Sequence, residues 1–493
     1  LPSFSKFQLK SIFLAAGIAM ALFFYFINPF GVNEKANIVL SVAVLMISWW
    51  VTEALPMPVV ALIPLIAFPL LSIAGLKTVA QSYGDQIIFL FMGGFMLGLA
   101  IEKWNLHRRI ALGIVKITGT SGNRIVLGFI LATGFISMWI SNTATTMMMF
   151  PIALSVIHVM KDTHDGSGNF KHFSLALMLS IAYASNFGGI ATIVGTPPNV
   201  AFVGYYEKQY ANISFINWML LCMPIAIILL LALYFVLTKL LFRSRIHSST
   251  AARSYINEEY KSLGPLSYAE KRVMTVFVIT ALLWIFKDLI NAKQSLIKLD
   301  DTIIALLCAM ALFMWPSGAN RKSSGLSETD DHDYHGGLLE WSDTKKMAWG
   351  ILLLFGGGLA LAAQLESAGL IKQLGEWLSH FAGGGFTLLL MVTVLTIFIS
   401  EVMSNIAQVI VFAPVVCSLA VAVGMNPLQL GIAMTLASSC ASMMPMGTPP
   451  NAIAFASGHI KIKEMMRAGF VMNIVAIILI TLFCQFVLPV LMK

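Results

Sequence analysis

Residues 137–152 read SMWISNTATTMMMFPI, and they set Ser141, Asn142, Thr143, Thr145 and Thr146 in the middle of a long apolar stretch. Two kinds of chemistry suit such a place. Ser and Asn oxygens, joined by the carbonyls of an unwound backbone, make a hard-oxygen cage for Na+. A helix restarting after the break turns free N–H groups and a partial positive charge towards the same point, which suits an anion. The set is not isolated. Ser404 and Asn405 follow Ser141 and Asn142 after 263 residues, and GTPPN at 195–199 recurs unchanged at 447–451. In each GTPPN the threonine (Thr196, Thr448) is a cap residue, and the first proline (Pro197, Pro449) takes the first helical position, where a missing N–H costs nothing. Four helix N-termini are therefore expected to converge, with no Arg or Lys in any of the four motifs. An anion held by dipoles and cations, without a fixed Arg, binds in proportion to the coupling ion, and that is the logic of symport.

Other readings of single residues are blander. Ser and Thr in membrane helices often only join neighbouring helices, and an isolated Pro–Pro is often a kink; four motifs in repeat register favour a site. The stripes Met147–Met149 and Met443, Met444 and Met446 read as packing. Glu401, the one acid beside a break, is either held by local backbone or serves as a proton-coupling group, and the first reading is preferred. The five cysteines (Cys222, Cys308, Cys417, Cys440, Cys484) have no metal-ligand spacing and read as buried packing. Asp330, Asp331, His332, Asp333 and His335 sit in a polar loop and read as solvated, not as a metal site. No HExxH or other catalytic pair is present, so the sequence does not point to an enzyme.

The elements that must position these motifs cross a membrane. Of 493 residues 58% are hydrophobic and 11% charged, where a soluble domain has roughly 25% charged residues. Apolar runs near 10–29, 38–53, 57–76, 85–101, 173–202, 217–242, 272–290, 301–317, 347–365, 428–457 and 468–491 give eleven spans of an all-α polytopic membrane protein. The first run, followed directly by others, reads as a span and not as a cleavable leader. Two further segments, 124–157 and 384–420, are interrupted by polar residues and are expected to be re-entrant hairpins; 173–202 and 428–457 are expected to be broken helices.

Charge agrees with the hairpins. With both folded back, 23 of the 31 Lys and Arg fall on one side and 8 on the other. The positive-inside rule then places the N-terminus in the cytoplasm and the C-terminus outside, as in a multi-pass protein of the cell inner membrane. The formal charge of +8 comes largely from the inside loops and calls for no nucleic acid. A third repeat anchor, Gly93–Gly94 against Gly357–Gly358, completes an internal repeat. Five spans lie between the two starts, an odd number, so the copies are inverted, as in secondary transporters. The expected units are 1–84, N-terminal spans; 85–242, the first repeat; 243–346, a linker with two spans; and 347–493, the second repeat.

At SMWISNTAT, SNIAQ, the twin GTPPN motifs and TEALP (52–56), the chain resembles the divalent anion:sodium symporter family, from about residue 50 to the end apart from the loops at 243–272 and 318–346. The resemblance implies an elevator-type homodimer in lipid, with static scaffold spans and a transport domain that slides across the membrane. It implies at least two Na+ ions, one near Ser137, Ser141, Asn142 and Gly195, the other near Ser400, Met403, Asn405 and Gly447. Substrate carboxylates would meet Asn142, Thr143, Thr196, Asn405, Thr448 and Pro449. The expected activity is Na+-coupled uptake of C4-dicarboxylates such as succinate, malate or fumarate. A sulfate or tricarboxylate symporter, or a dicarboxylate exchanger, stays open, because Ile406 stands where the dicarboxylate pattern has Thr.

Overall fold

The computed structural model describes residues 6–119, 121–161, 168–244, 246, 250–294, 297–318, 336–380 and 384–492. The acidic and histidine run at 330–335 lies outside the described residues. Among the described residues the chain is helical, with one isolated bridge between Pro316 and Gly337. First come α1 (Lys6–Ile27), α2 (Glu34–Thr52), α3 (Met57–Val60), α4 (Ile63–Leu70) and α5 (Leu76–Gln81). A set of seven follows: α6 (Gln86–Lys103), α7 (Leu106–Thr118), α8 (Gly122–Ser137), α9 (Asn142–Lys161), α10 (Gly168–Gly189), α11 (Pro197–Gln209) and α12 (Phe215–Phe235). Next are α13 (Thr250–Ser262), α14 (Tyr268–Lys293) and α15 (Asp301–Met314). The order then recurs in α16 (Trp349–Ser367), α17 (Leu370–Ser379), α18 (Gly385–Ser400), α19 (Asn405–Ala422), α20 (Pro427–Ser438), α21 (Pro449–Ala456) and α22 (Ile462–Leu482), and α23 (Leu488–Leu491) closes the chain. Each set of seven carries a proline inside its fourth helix, Pro151 and Pro414, and ends in a π-helical segment, Val236–Leu241 and Phe483–Val487.

Nine helices among the described residues are long and apolar enough to cross a membrane. They include the second arms of both interrupted segments, α9 and α19. The shorter apolar pieces at 57–70, 122–137, 301–314, 385–400 and 427–438 fall outside the nine. The run expected as one span at 57–76 is two short helices, because Pro64 has no N–H for the carbonyl four residues back and its ring crowds that carbonyl.

Each interrupted segment has its own two outer ends close together. The Gly122 N–H at the start of α8 donates to Ile246 O at 3.2 Å, and α13, four residues further along the chain, packs on α7 and α9. In the other segment Gly385, the first residue of α18, lies against Met425, just past the end of α19. Ion pairs tell the same story. Lys103–Asp343 (2.7 Å), Arg108–Glu259, Arg109–Glu270 (2.9 Å) and Lys171–Glu464 (2.6 Å) join loops of the basic face, whereas Lys208–Asp85 (2.9 Å) and Lys287–Asp301 (3.0 Å) join loops of the other. Were the first segment a single crossing, Arg108 and Glu259 would stand on opposite faces, and were the second one, Lys171 and Glu464 would.

Paired glycines set how closely the helices approach. A Cβ on Gly93 would fall 2.7 Å from the Ala305 Cβ of α15, and one on Gly357 2.3 Å from Ala61 O. Their neighbours Gly94 and Gly358 face the other way, against Val194 beside the first GTPPN and Ile410 of α19. So α6 and α16 each lie between the early helices or α15 on one side and the interrupted segments on the other. α10 is buried on every side from Phe173 to Gly189, the condition of a helix at the centre of a core.

Candidate functional site

The helix breaks are short and local. α8 stops at Ser137 and α9 restarts at Asn142; α18 stops at Ser400 and α19 restarts at Asn405. α10 ends at Gly189 and α20 at Ser438, and Pro197 and Pro449 start α11 and α21. The N-termini of α9, α11, α19 and α21 line one cavity of about 830 Å³. Asn142, Thr143, Thr196, Asn405, Thr448 and Pro449 are all on its wall, with Ser141, Met403, Ile406 and Gly447. Its lining reaches Glu53, Glu102 and Lys346, beside the Lys103–Asp343 pair of the basic face, so the cavity opens towards that face.

Behind the wall lies an oxygen-rich pocket in the first repeat. The fully buried Ser137 Oγ is 2.7 Å from both Asn142 Oδ1 and Ser185 O. Around Gly195, a Cβ would meet Gly189 O at 2.4 Å and Met138 O and Ser137 O at 3.0 Å each; on Gly189 it would meet Asn142 Oδ1 at 2.3 Å. Only glycine admits this close convergence of carbonyls. Asn142 Nδ2 faces away, 3.4 Å from both Asn186 Oδ1 and Thr196 Oγ1. Ser141 Oγ accepts the Ala144 N–H at 3.3 Å and caps α9. The structure thus brings Ser137, Asn142 and Gly195 together and puts Ser141 at the rim.

The second repeat departs from this plan. Ser400 Oγ bonds the side chain of Gln408, whose Nε2 donates to Thr396 O at 3.0 Å. Asn405 Oδ1 is buried with no hydrogen-bond partner, an expensive state for a carbonyl oxygen unless a cation completes it. Gly447 lies beside Glu401, and a Cβ there would be 3.1 Å from Glu401 Oε2. Glu401 itself is 4% exposed and accepts four donors: Ser442 N–H (2.8 Å) and Met443 N–H (2.9 Å) at Oε1, Met444 N–H (2.8 Å) at Oε2, and Asn473 Nδ2 (2.7 Å) at Oε1. Local backbone holds this acid, the preferred of the two readings made from sequence.

Several residues escaped the sequence reading. Asn186 Nδ2 donates to Thr448 Oγ1 at 3.1 Å and ties the two repeats together at the cavity. The last residue of each GTPPN is a latch: Asn199 Nδ2 lies 2.8–3.3 Å from Thr192 O, Gly189 O and Ile190 O, and Asn451 Nδ2 lies 3.1 Å from Ala441 O and 3.2 Å from Met444 O. These bonds satisfy carbonyls freed where α10 and α20 unwind. The repetition of the Asn in both motifs was the available signal; Asn186 offered none. Thr448 caps α21 through Asn451 N–H at 3.4 Å, whereas Thr196 makes no such cap bond and its hydroxyl faces Asn142.

Comparison with known proteins gives concordant matches. The family model for the sodium:sulfate symporter transmembrane region matches residues 8–493. The chain is 36% identical over 468 residues to the sodium-dependent dicarboxylate transporter SdcS of Staphylococcus saprophyticus, spanning 94% of this chain and 88% of the relative. To SdcS of Staphylococcus aureus it is 37% identical over 493 residues, spanning 99% and 92%. Among solved structures it is similar to MtrF of Neisseria gonorrhoeae, described with a class of antimetabolite efflux pumps (TM-score 0.57, 12% identity, 95% and 97% of the two chains). It is also similar to the YdaH transporter of Alcanivorax borkumensis (TM-score 0.52, 15% identity, 84% and 89%). At these identities the two structures speak for the fold alone.

Proposed function

This chain belongs to the sodium:sulfate symporter family, and from that premise we propose that it is a secondary active transporter coupling Na+ entry to uptake of C4-dicarboxylates such as succinate, malate or fumarate. The observation that carries the reading is the convergence of four helix N-termini and the partnerless Asn405 Oδ1 on one cavity without an arginine. The name of the staphylococcal relatives, sodium-dependent dicarboxylate transporter, supports the substrate class. The protein is a transporter, not an enzyme.

At least two Na+ ions are cargo. One is assigned to Ser137, Ser141, Asn142 and Gly195, the other to Ser400, Met403, Asn405 and Gly447. The pocket of carbonyls at Gly195 and the unpaired Asn405 oxygen fit a hard cation. The substrate carboxylates are assigned to Asn142, Thr143, Thr196, Asn405, Thr448 and Pro449. The basic face is cytoplasmic, with the N-terminus inside and the C-terminus outside, so the cavity opens to the release side. The units 1–84 and 243–346 form the scaffold and dimer, and the interrupted helices of 85–242 and 347–493 move as an elevator between them. The paired glycines on α6 and α16 would be the sliding contact.

Counterflow of labelled succinate in liposomes, with and without a Na+ gradient, tests the reading. Uptake that follows the Na+ gradient is expected. Exchange indifferent to Na+ would make the protein an exchanger, and competition by sulfate or citrate in preference to succinate would make it a symporter of those anions. Ile406 on the cavity wall keeps these alternatives in play.

A further inference from the structure

We propose that Glu401 supplies a fixed negative charge to the second cation site, so that this site, and not its repeat counterpart, takes Na+ first and more tightly. The inference rests on the assignment of Na+ to the two breaks made above. Its starting point is an asymmetry. The 263-residue offset that matches Ser137 with Ser400 and Asn142 with Asn405 also matches Met138 with Glu401. In the first repeat the break is held by neutral groups: the Thr192 hydroxyl donates to Met138 O and accepts the Gly195 N–H at 3.1 Å. In the second, the backbone N–H groups of Ser442, Met443 and Met444 all point at one carboxylate.

All four contacts to Glu401 are donors and none is an acceptor, the pattern of an ionised carboxylate. The donors are neutral, so a full charge stays in a site that is 4% exposed, and no Lys, Arg or His is paired with it among the described ion pairs. Buried charges are normally paired or lie beside a metal ion. The nearest place for a counter-ion is at Gly447 and Asn405, where Glu401 Oε2 comes within 3.1 Å of a Cβ position on Gly447 and Asn405 Oδ1 lacks a partner. Glu401 therefore acts as a positioning and charge-setting residue that need not touch the ion. At an effective dielectric of about 20, a full charge about 4 to 6 Å away changes the occupancy of a monovalent cation by roughly two to three orders of magnitude.

The test is Na+-dependent thermal stabilisation of the purified full chain in detergent, without substrate, at constant ionic strength with choline replacing Na+. Glu401→Gln keeps the size and removes the charge; Glu401→Asp keeps the charge and shortens the reach. Wild type should be stabilised by Na+ specifically, and if it is not, the Na+ reading of the protein fails before Glu401 is in question. Given that stabilisation, Glu401→Gln should raise the half-saturating Na+ concentration at least tenfold and make the dependence less steep, while Glu401→Asp stays within about threefold of wild type. An unchanged midpoint in Glu401→Gln, or equal weakening in both variants, would show a backbone latch and overturn the proposal. Should Glu401→Gln fail to fold, Asn473→Ala decides: losing a neutral donor leaves the charge in place, so Na+ should bind as tightly as in wild type, and a tenfold weakening would refute the charge.

Discussion

Ile406→Thr is the most informative single substitution. Ile406 is the second residue of α19 and lies on the cavity wall, as does Thr143 in the matching place of α9. A dicarboxylate bound between them as proposed would meet a hydroxyl at one end and a branched alkyl group at the other. At the alkyl end a carboxylate oxygen must rely on water or on the α19 N-terminal N–H groups, and leaving a buried polar atom short of a partner costs about 1 to 3 kcal/mol. A new hydroxyl gains a hydrogen bond to a charged group, about 1.5 to 3 kcal/mol. Against this stand the ordering of the hydroxyl and the loss of apolar contact, about 0.8 kcal/mol per buried methylene. With two carbons lost, the net of about 0 to 1.4 kcal/mol tightens succinate by up to about tenfold, since 1.4 kcal/mol is a factor of ten. The assay is competition of labelled succinate uptake by succinate, citrate and sulfate, on wild type and variant. If the native anion is a different one, the substitution should weaken that anion while improving succinate. A profile unchanged for all three would refute the placement of Ile406 at the substrate.

Asn142→Ala and Asn405→Ala should each abolish Na+-driven uptake while the protein still elutes as a folded species; wild-type transport in either variant would remove the proposed site. Gly188→Ala should lower the melting temperature, because its Cβ would fall 2.2 Å from Gly134 O where α10 crosses α8; overpacking of this kind costs about 1 to 3 kcal/mol, and an unchanged Tm would mean the two helices can separate. Inter-protomer crosslinks should form through cysteines placed on α1, α14 or α15, whose outer faces carry exposed Phe26, Phe286 and Met314; crosslinks forming chiefly at 141–145 or 404–408 would contradict the scaffold assignment.

Much of the site was legible because each break is written twice. Ser-Asn and GTPPN are polar or proline-rich words inside apolar runs, and repetition in the same order separates them from the scattered Ser and Thr of ordinary helix contacts. The helix starts at Pro197 and Pro449 follow from the chemistry of prolines at the first helical position, and those at Asn142 and Asn405 fall inside the polar words, earlier than a helix beginning after the whole Ser-Asn-Thr tip. What was not legible depends on tertiary contact. Asn186 is one Asn on a buried helix, and nothing local says that it reaches Thr448 from the other repeat. Gln408, four residues into α19, takes Ser400 away from Asn405, so the second break is not a copy of the first. The 57–76 run misled because hydropathy counts Pro64 and Pro69 as harmless, whereas each interrupts the hydrogen-bond ladder.

The absence of an arginine from the four breaks bears on how coupling is achieved. A helix end carries about half an elementary charge, and its influence fades within the first turn, so four ends roughly offset a dicarboxylate only when all four point at it closely. The N-termini of α9, α11, α19 and α21 line one cavity from two repeats, and the Asn186–Thr448 bond joins α10 of one repeat to the start of α21 in the other. The dipoles alone leave little surplus to desolvate two carboxylates, since an exposed helix terminus contributes only about 0.3–1 kcal/mol to an anion, rising to about 2 when partly buried. Cations behind Asn142 and Asn405 would supply the rest. Each Asn spans the wall: its residue lines the cavity while its Oδ1 faces the oxygen pocket or stands unpaired. On the proposed assignment, an ion engaging that oxygen would fix the amide towards the anion, and substrate affinity would then follow Na+ occupancy.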